Sequence, residues 1–312
     1  VRLTESNEIL EEIEKQSMTQ RSIPMALLVA MRPRQWTKNL LLFAGFLFTL
    51  DSKSVQHSLI RASLGFVIFS LLSGATYIIN DVVDVESDRQ HPKKQFRPIA
   101  SGELPIKIAI VMAIFITVVA LTAASILGFR FEAAATAYAL LTVAYSLWLK
   151  HVVIIDLLIL ASGFVLRAIA GAWAIPVGIS VWLVLCTLLL ALFLGIEKRQ
   201  SQLIAVQNGR RGGRQILHEY SVEMLDQMST IVTSALLMSY ALYTIQSESA
   251  ARHHYLIATI PFVLYGIFRY LYLVHRHGLG ESPDEALLKD KPMLLNIFLW
   301  AVATALVVVL SH

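Results

Sequence analysis

Charge is scarce in this 312-residue chain: Asp, Glu, Lys and Arg together make up 15% of it, against about 25% in an ordinary soluble protein. That deficit excludes a fold bathed in water on all sides, because 56% of the residues are hydrophobic and too few polar ones remain to cover them. Cysteine is nearly absent. The single Cys186 rules out an internal disulfide, and in an apolar run with no charged neighbour in sequence it reads as packing, not as a nucleophile. There is no Gly-rich phosphate loop, no Ser/His/Asp pattern and no metal-ligand spacing of His or Cys; His253 and His254 fall in a loop away from the acidic residues. A cleavable leader is not expected either, since Glu5, Glu8, Glu11, Glu12 and Glu14 make the start acidic and suit a small cytosolic amphipathic helix.

What is abundant is uncharged apolar sequence, in runs long enough to cross roughly 30 Å of hydrocarbon at about 1.5 Å per residue. Nine segments read this way: 39–50, 60–79, 106–128, 131–149, 152–173, 180–196, 228–246, 255–274 and 292–311. The expected fold is all-α, a polytopic membrane protein with nine transmembrane helices. Residues 1–38 form a cytosolic amphipathic N-terminal segment in this reading, and 39–312 a single nine-helix catalytic domain. The first apolar segment is short. It gains length only if Ala26 to Trp36 is also helical and lies obliquely in the interface, broken at Pro33, with Arg32, Arg34 and Lys38 snorkelling.

Most of the 26 Lys and Arg fall before the first segment or after even-numbered ones. The opposite loops hold Lys53, Arg61, Arg130 and Arg252, while Arg167 and Arg269 lie inside helices. The positive-inside rule therefore puts the N-terminus in the cytosol and the C-terminus outside. A plasma-membrane, multi-pass protein with its active site on the cytoplasmic face follows. The net charge of +4 is this asymmetry and not a nucleic-acid footprint. Association into a homo-oligomer is compatible with the sequence and not specified by it.

The strongest chemical signal is Asn80-Asp81-Val82-Val83-Asp84-Val85-Glu86-Ser87-Asp88. On a helix continuing out of the membrane, Asn80, Asp84 and Asp88 recur every fourth residue with Asp81 beside them, so their oxygens share a face. Carboxylates that close repel unless a cation joins them, and oxygen donors without His or Cys favour Mg²⁺. The basic run Arg89, His91, Lys93, Lys94 and Arg97 follows at once. Beside a metal site such cations suit a polyanionic substrate.

Asn80-Asp81-x-x-Asp84-x-x-x-Asp88, then Arg97-Pro98-Ile99-Ala100-Ser101-Gly102, resembles the first aspartate-rich motif of the UbiA superfamily of intramembrane prenyltransferases; Tyr145-x-x-x-x-Lys150 is similar to a second signature. The resemblance implies nine transmembrane helices around a lipid-accessible cavity. Ordinary members carry a second Asp-x-x-x-Asp motif where this chain has Glu197-Lys198-Arg199-Gln200-Ser201. With Arg32-Pro33-Arg34-Gln35-Trp36-Thr37-Lys38-Asn39, Ser162-Gly163-Phe164-Val165-Leu166-Arg167-Ala168 and Ser282-Pro283-Asp284-Glu285, that departure resembles the decaprenyl-phosphate phosphoribosyltransferase branch. The branch implies Mg²⁺-dependent transfer of 5-phosphoribose from 5-phosphoribosyl 1-diphosphate to a polyprenyl phosphate, towards a lipid-linked pentose donor for an arabinan-type envelope. Asn80, Asp81, Asp84 and Asp88 would hold the metal. Arg34, Lys38, Arg97, Lys150, Arg167, Lys198 and Arg199 would divide the anions among them, with Tyr145 as hydroxyl donor; a structural pair of Arg167 with Asp156 or another buried acid is the alternative for that residue. Asp284, Glu285 and Asp290 could close the site from the last polar loop or cap the final helix. Two other functions compete: a conventional aromatic prenyltransferase, disfavoured by the missing second motif, and a transporter or lipid-binding protein, disfavoured by the lack of paired Gly/Pro helix breaks.

Overall fold

The structure, a computed structural model, describes residues 21–46, 54–175, 178–208, 215–278, 280 and 289–310, and among these helix is the regular secondary structure throughout. The expected amphipathic helix near the start, along with Asp284 and Glu285, lies outside the described residues. Helix α1 (Ile23–Ala30) begins with Pro24 in its first turn, where the missing N–H would have no partner anyway. It stops at Arg32, which adopts φ 53° directly before Pro33, whose ring bars the preceding residue from the α region. A 3-10 segment, Pro33–Phe43, follows. The break at Pro33 is therefore real. Ala26, Ala30 and Met31 are buried against Ile78, Ile99 and Ala109, so this stretch packs into the bundle.

The remaining long helices are α2 (Val55–Val83), α3 (Ile106–Ala124), α4 (Phe129–Leu147), α5 (Ile155–Ala174), α6 (Val181–Gln207), α7 (Val222–Gln246), α8 (Ile260–His277) and α9 (Lys291–Leu310). Seven helical stretches of the described residues are long and apolar enough to cross a membrane: Val55–Val83, Ile106–Leu127, Ile155–Ala174, Val181–Gln207, Val222–Gln246, His254–Arg276 and Lys291–Val309. Helix α4 is not among them because Arg130 and Glu132 open it and Thr, Tyr and Ser interrupt its apolar face. The 39–50 segment is represented by the 3-10 stretch, with 47–50 outside the described residues.

Packing follows membrane logic. Ala109, Ala113, Ala120 and Ala124 are buried along one face of α3, small residues that let backbones approach closely where lipid gives apolar side chains no reason to associate. Val111, Ile114 and Phe115 of the same helix are exposed. One core gathers around Phe69, whose ring meets Phe131 at 5.7 Å and Tyr138 at 5.2 Å. A second joins α6 to α8 through Phe193 and Tyr270, 5.4 Å apart. At the far end from Asp81, Arg61 donates to the carbonyls of Leu127 and Ala174, satisfying groups that helix ends leave open. The ends of α2, α4 and α6 and the start of α5 thus converge on the other side.

Gly171 on α5 faces the 3-10 segment so closely that a Cβ there would fall on the Leu42 backbone. Gly171→Ala is expected to destabilise the bundle by about 1–3 kcal/mol, the usual penalty for overpacking. A lower midpoint of thermal unfolding in detergent checks this; an unchanged midpoint would mean the Leu42 backbone yields without penalty.

Candidate active site

Helix α2 ends at Val83, Asp84 adopts φ −90° and ψ 4°, and a short helix resumes at Val85–Arg89. Hydrogen bonds from the Asp84 N–H to Asn80 O (2.9 Å) and from the Asp88 N–H to Asp84 O (2.8 Å) carry the register across the break. The four acidic-motif side chains fall into two pairs. Asn80 Nδ2 donates to Asp84 Oδ2 at 3.0 Å, and Lys150 Nζ donates to Asp84 Oδ1 at 2.5 Å. Asp81 and Asp88 share one guanidinium: Arg97 Nη1 donates to Asp81 Oδ1 at 3.1 Å and to Asp88 Oδ2 at 2.5 Å. Arg32 also donates to Asp81, while lying 5.0 Å from the centre of the Tyr77 ring. Lys94 Nζ stands 3.6 Å from Asp88 Oδ1.

Exposure separates the two pairs. The Asp84 side chain is 23% exposed, whereas Asp81 and Asp88 are at 2% and 1% and ringed by cations. Among the described residues, no three His, Cys, Asp or Glu side chains are grouped to hold a metal by themselves. Asn80 and Asp84 nevertheless offer an amide oxygen and a carboxylate side by side. Such a pair fits Mg²⁺, which takes one or two carboxylates and completes its shell with water and substrate phosphate.

A cavity of about 550 Å³ opens beside Asn80. Its wall carries the guanidinium groups of Arg32, Arg97, Arg167 and Arg199, and the ammonium groups of Lys38, Lys93, Lys94 and Lys198. No carboxylate of the described residues lies on that wall. Tyr77, Tyr138, Thr142, Tyr145 and Ser146 line its interior with hydroxyls. Arg34 is exposed and off the wall; Lys150 is buried behind it, under Asp84.

The second loop is arranged differently. Lys198 and Arg199 reach the cavity from α6, while Glu197 turns away to accept a 2.5 Å hydrogen bond from Ser229. Arg199 and Asp156 are both buried, at 3% and 0% exposure, and joined through Nε and Nη2 at 2.8 Å. Asp156 is therefore the partner of Arg199, not of Arg167. Tyr220 OH donates to Asp156 Oδ1 and accepts from the Ile154 N–H, each at 2.7 Å. Burial pushes the Tyr220 phenol above its ordinary pKa, which keeps the proton it donates. Arg167 donates instead to Asn39 Oδ1 (2.7 Å), Gly163 O (2.9 Å) and Tyr138 OH (2.7 Å). Asp290 pairs with Arg269 at 2.8 Å and accepts from the Met293 N–H at 2.9 Å, capping α9.

A model of the UbiA prenyltransferase family matches residues 39–298. The chain belongs to that family. UbiA membership and the apolar helices make it a multi-pass membrane transferase. It is 32% identical to the decaprenyl-phosphate phosphoribosyltransferase of Mycobacterium tuberculosis (strain H37Rv), over 87% of this chain and 90% of the relative. It is also 32% identical to the enzyme of that name from Corynebacterium glutamicum, over 93% and 88%. The fold is similar to that of a UbiA homologue from Archaeoglobus fulgidus solved with DMAPP and Mg²⁺, with TM-score 0.67 at 19% identity over 93% of this chain and 98% of the other.

Sequence reasoning gave Arg32 only a headgroup role, and assigned none to Asn39, Tyr138 or Tyr220. An Asn directly after Lys38 and charges such as Asp156 inside apolar runs are the signals that point to them. Tyr220→Phe removes a donor from Asp156 and an acceptor from the Ile154 N–H, so a loss of about 1–3 kcal/mol is expected. Chemical or thermal unfolding in detergent measures it; a stability equal to wild type would mean that neither bond matters.

Proposed function

We propose that this UbiA member transfers 5-phosphoribose from 5-phosphoribosyl 1-diphosphate to a polyprenyl phosphate such as decaprenyl phosphate, releasing diphosphate. The observation that carries the reading is the cavity wall, built of cations without a carboxylate, with Lys198 and Arg199 standing where ordinary members have acids. A donor with a phosphate at one end and a diphosphate at the other needs such a wall; a prenyl diphosphate has anions at one end alone. The names of the mycobacterial and corynebacterial relatives support transfer of a phosphoribosyl group and a decaprenyl-phosphate acceptor. The product would be a lipid-linked pentose for cell-envelope synthesis. The chain in this reading crosses the plasma membrane nine times, N-terminus inside and C-terminus outside, with residues 39–312 as catalytic domain and the cavity open to the cytoplasm.

Asn80 and Asp84 would hold Mg²⁺, as the archaeal homologue's bound Mg²⁺ also supports. What the metal supplies there is Lewis-acid stabilisation of the departing diphosphate. Asp81 and Asp88 act by fixing Arg97 and Arg32, and Lys150 by fixing Asp84. Arg97, Lys38, Lys198 and Arg199 neutralise the phosphates, and the Tyr145 hydroxyl donates to the donor. Arg34 stays at the headgroups. As the ribose C1–O bond breaks, an oxygen of the lipid phosphate bonds to C1 and diphosphate leaves with the electron pair. The phosphate monoester has a second pKa of about 6, so no general base is required.

Purified protein with Mg²⁺, donor labelled in the ribose and a polyprenyl phosphate should carry label into the organic phase, and chelation of Mg²⁺ should stop it. Label confined to water would refute the reading. Lys198→Ala is expected to raise the donor KM about ten- to hundredfold, the effect of losing a charge-assisted hydrogen bond of roughly 1.5–3 kcal/mol, with the acceptor KM unchanged. An unchanged donor KM per folded molecule would reduce Lys198 to a headgroup anchor.

A further inference from the structure

Arg167 is nine-tenths buried and permanently charged, and what it touches is neutral: it donates to an amide, a backbone carbonyl and a phenol, and it lies 4.6 Å and 5.3 Å from the Tyr138 and Phe164 ring centres. No carboxylate of the described residues lies within ion-pair distance of it, although Arg32, Arg97 and Arg199 on the same wall each have one. It is also deep. At about 1.5 Å per residue, Arg167 lies about 18 Å along α5 from Ile155, near the bilayer middle. Asn39, which orients it, bonds Ser70 and Ser73 of α2, about 10–15 Å below Asn80 on the same scale. A cation left uncompensated at that depth is costly unless a ligand supplies the anion.

We infer that Arg167, Asn39 and Tyr138 form a receptor for a phosphate monoester, the 5-phosphate of the sugar donor, separate from the diphosphate end at Asn80. This rests on the donor proposed above. Arg167 has N–H groups beyond those its three hydrogen-bond partners accept, and the Tyr138 hydroxyl, which accepts from Arg167 Nη2 and also pairs with the Thr76 side chain, can turn its proton from Thr76 to a bound phosphate. The polyprenyl phosphate is a monoester too, but its charged head belongs at headgroup level while its chain lies in lipid. The wall between the two ends bears Thr142, Tyr145 and Ser146, hydroxyls that suit a ribose and not an isoprenoid. The receptor would select a phosphorylated pentose over its unphosphorylated form.

Asn39→Asp supplies an internal counter-ion at the position where Asn39 Oδ1 now sits, 2.7 Å from Arg167 Nε. It is nearly isosteric, and the Ser70 and Ser73 hydroxyls can turn to donate to it, so the fold should survive, with an unfolding midpoint no lower than wild type. Competition binding with purified protein in detergent would use ribose 5-phosphate, inorganic diphosphate and farnesyl phosphate, with Arg167→Gln as the second variant. The expected result in folded Asn39→Asp is a loss of ribose 5-phosphate affinity of roughly tenfold or more, with diphosphate and farnesyl phosphate binding little changed. Unchanged ribose 5-phosphate affinity in both variants would overturn the inference, as would a loss confined to farnesyl phosphate or shared equally by diphosphate. Wild type moving label while Asn39→Asp keeps its donor KM defeats this inference alone. Ribose 5-phosphate binding lost in the variant, with no label transfer by wild type, defeats the proposed reaction and leaves the receptor standing.

Discussion

A carboxylate carried to the edge of the hydrocarbon has to meet a cation or give up its charge, and here one guanidinium meets two of them. Arg97 Nη1 lies between Asp81 and Asp88, both buried. Two anions a helical register apart would otherwise repel across a medium that screens poorly. The bridge ties the loop after α2 back onto the end of α2, and Arg32 joins it from the break before the 3-10 segment. One ion-paired knot thus fixes three pieces of chain around the mouth of the cavity. Removing one member would leave buried charge unpaired, which is more damaging than never having placed the pair there.

The same constraint is met with the roles reversed on the other side. There the cavity-facing cation, Arg199, is held by a buried acid, Asp156, itself held by Tyr220. Tyr220 also ties down Ile154, whose φ of 68° is a strained backbone for a β-branched residue. The start of α5, the end of α6 and the loop after it are locked together by that network. A site flanked by two such anchored cations is preorganised for anions, since little rearrangement remains when a substrate arrives.

Much of this was legible in the sequence, for reasons that differ by residue. Apolar runs announce lipid because their length is set by the bilayer, and the four-residue helical spacing places Asn80 beside Asp84, which it meets at 3.0 Å. Pro33 marked a break because its ring allows no other outcome. What the sequence did not reveal is pairing at a distance: Lys150 with Asp84, Arg199 with Asp156 and Arg167 with Asn39 are 66, 43 and 128 residues apart. No local pattern encodes such contacts. The register across Asp84 misled slightly for the same reason. Four oxygens on one face describes the helix, but the cations arriving from elsewhere divide them into Asn80 with Asp84 and Asp81 with Asp88. Helix α4 shows the limit of composition as a guide, since its opening charges and hydroxyls leave it less apolar than the helices around it.

The central claim is that the cations of this membrane cavity receive a sugar phosphate and not an isoprenoid diphosphate. Titrating purified protein with 5-phosphoribosyl 1-diphosphate in the presence of Mg²⁺, with and without excess geranyl diphosphate, tests it directly. The account predicts saturable binding of the sugar donor that weakens without Mg²⁺ and that geranyl diphosphate fails to displace. Tighter binding of geranyl diphosphate, with the sugar donor excluded, would contradict it.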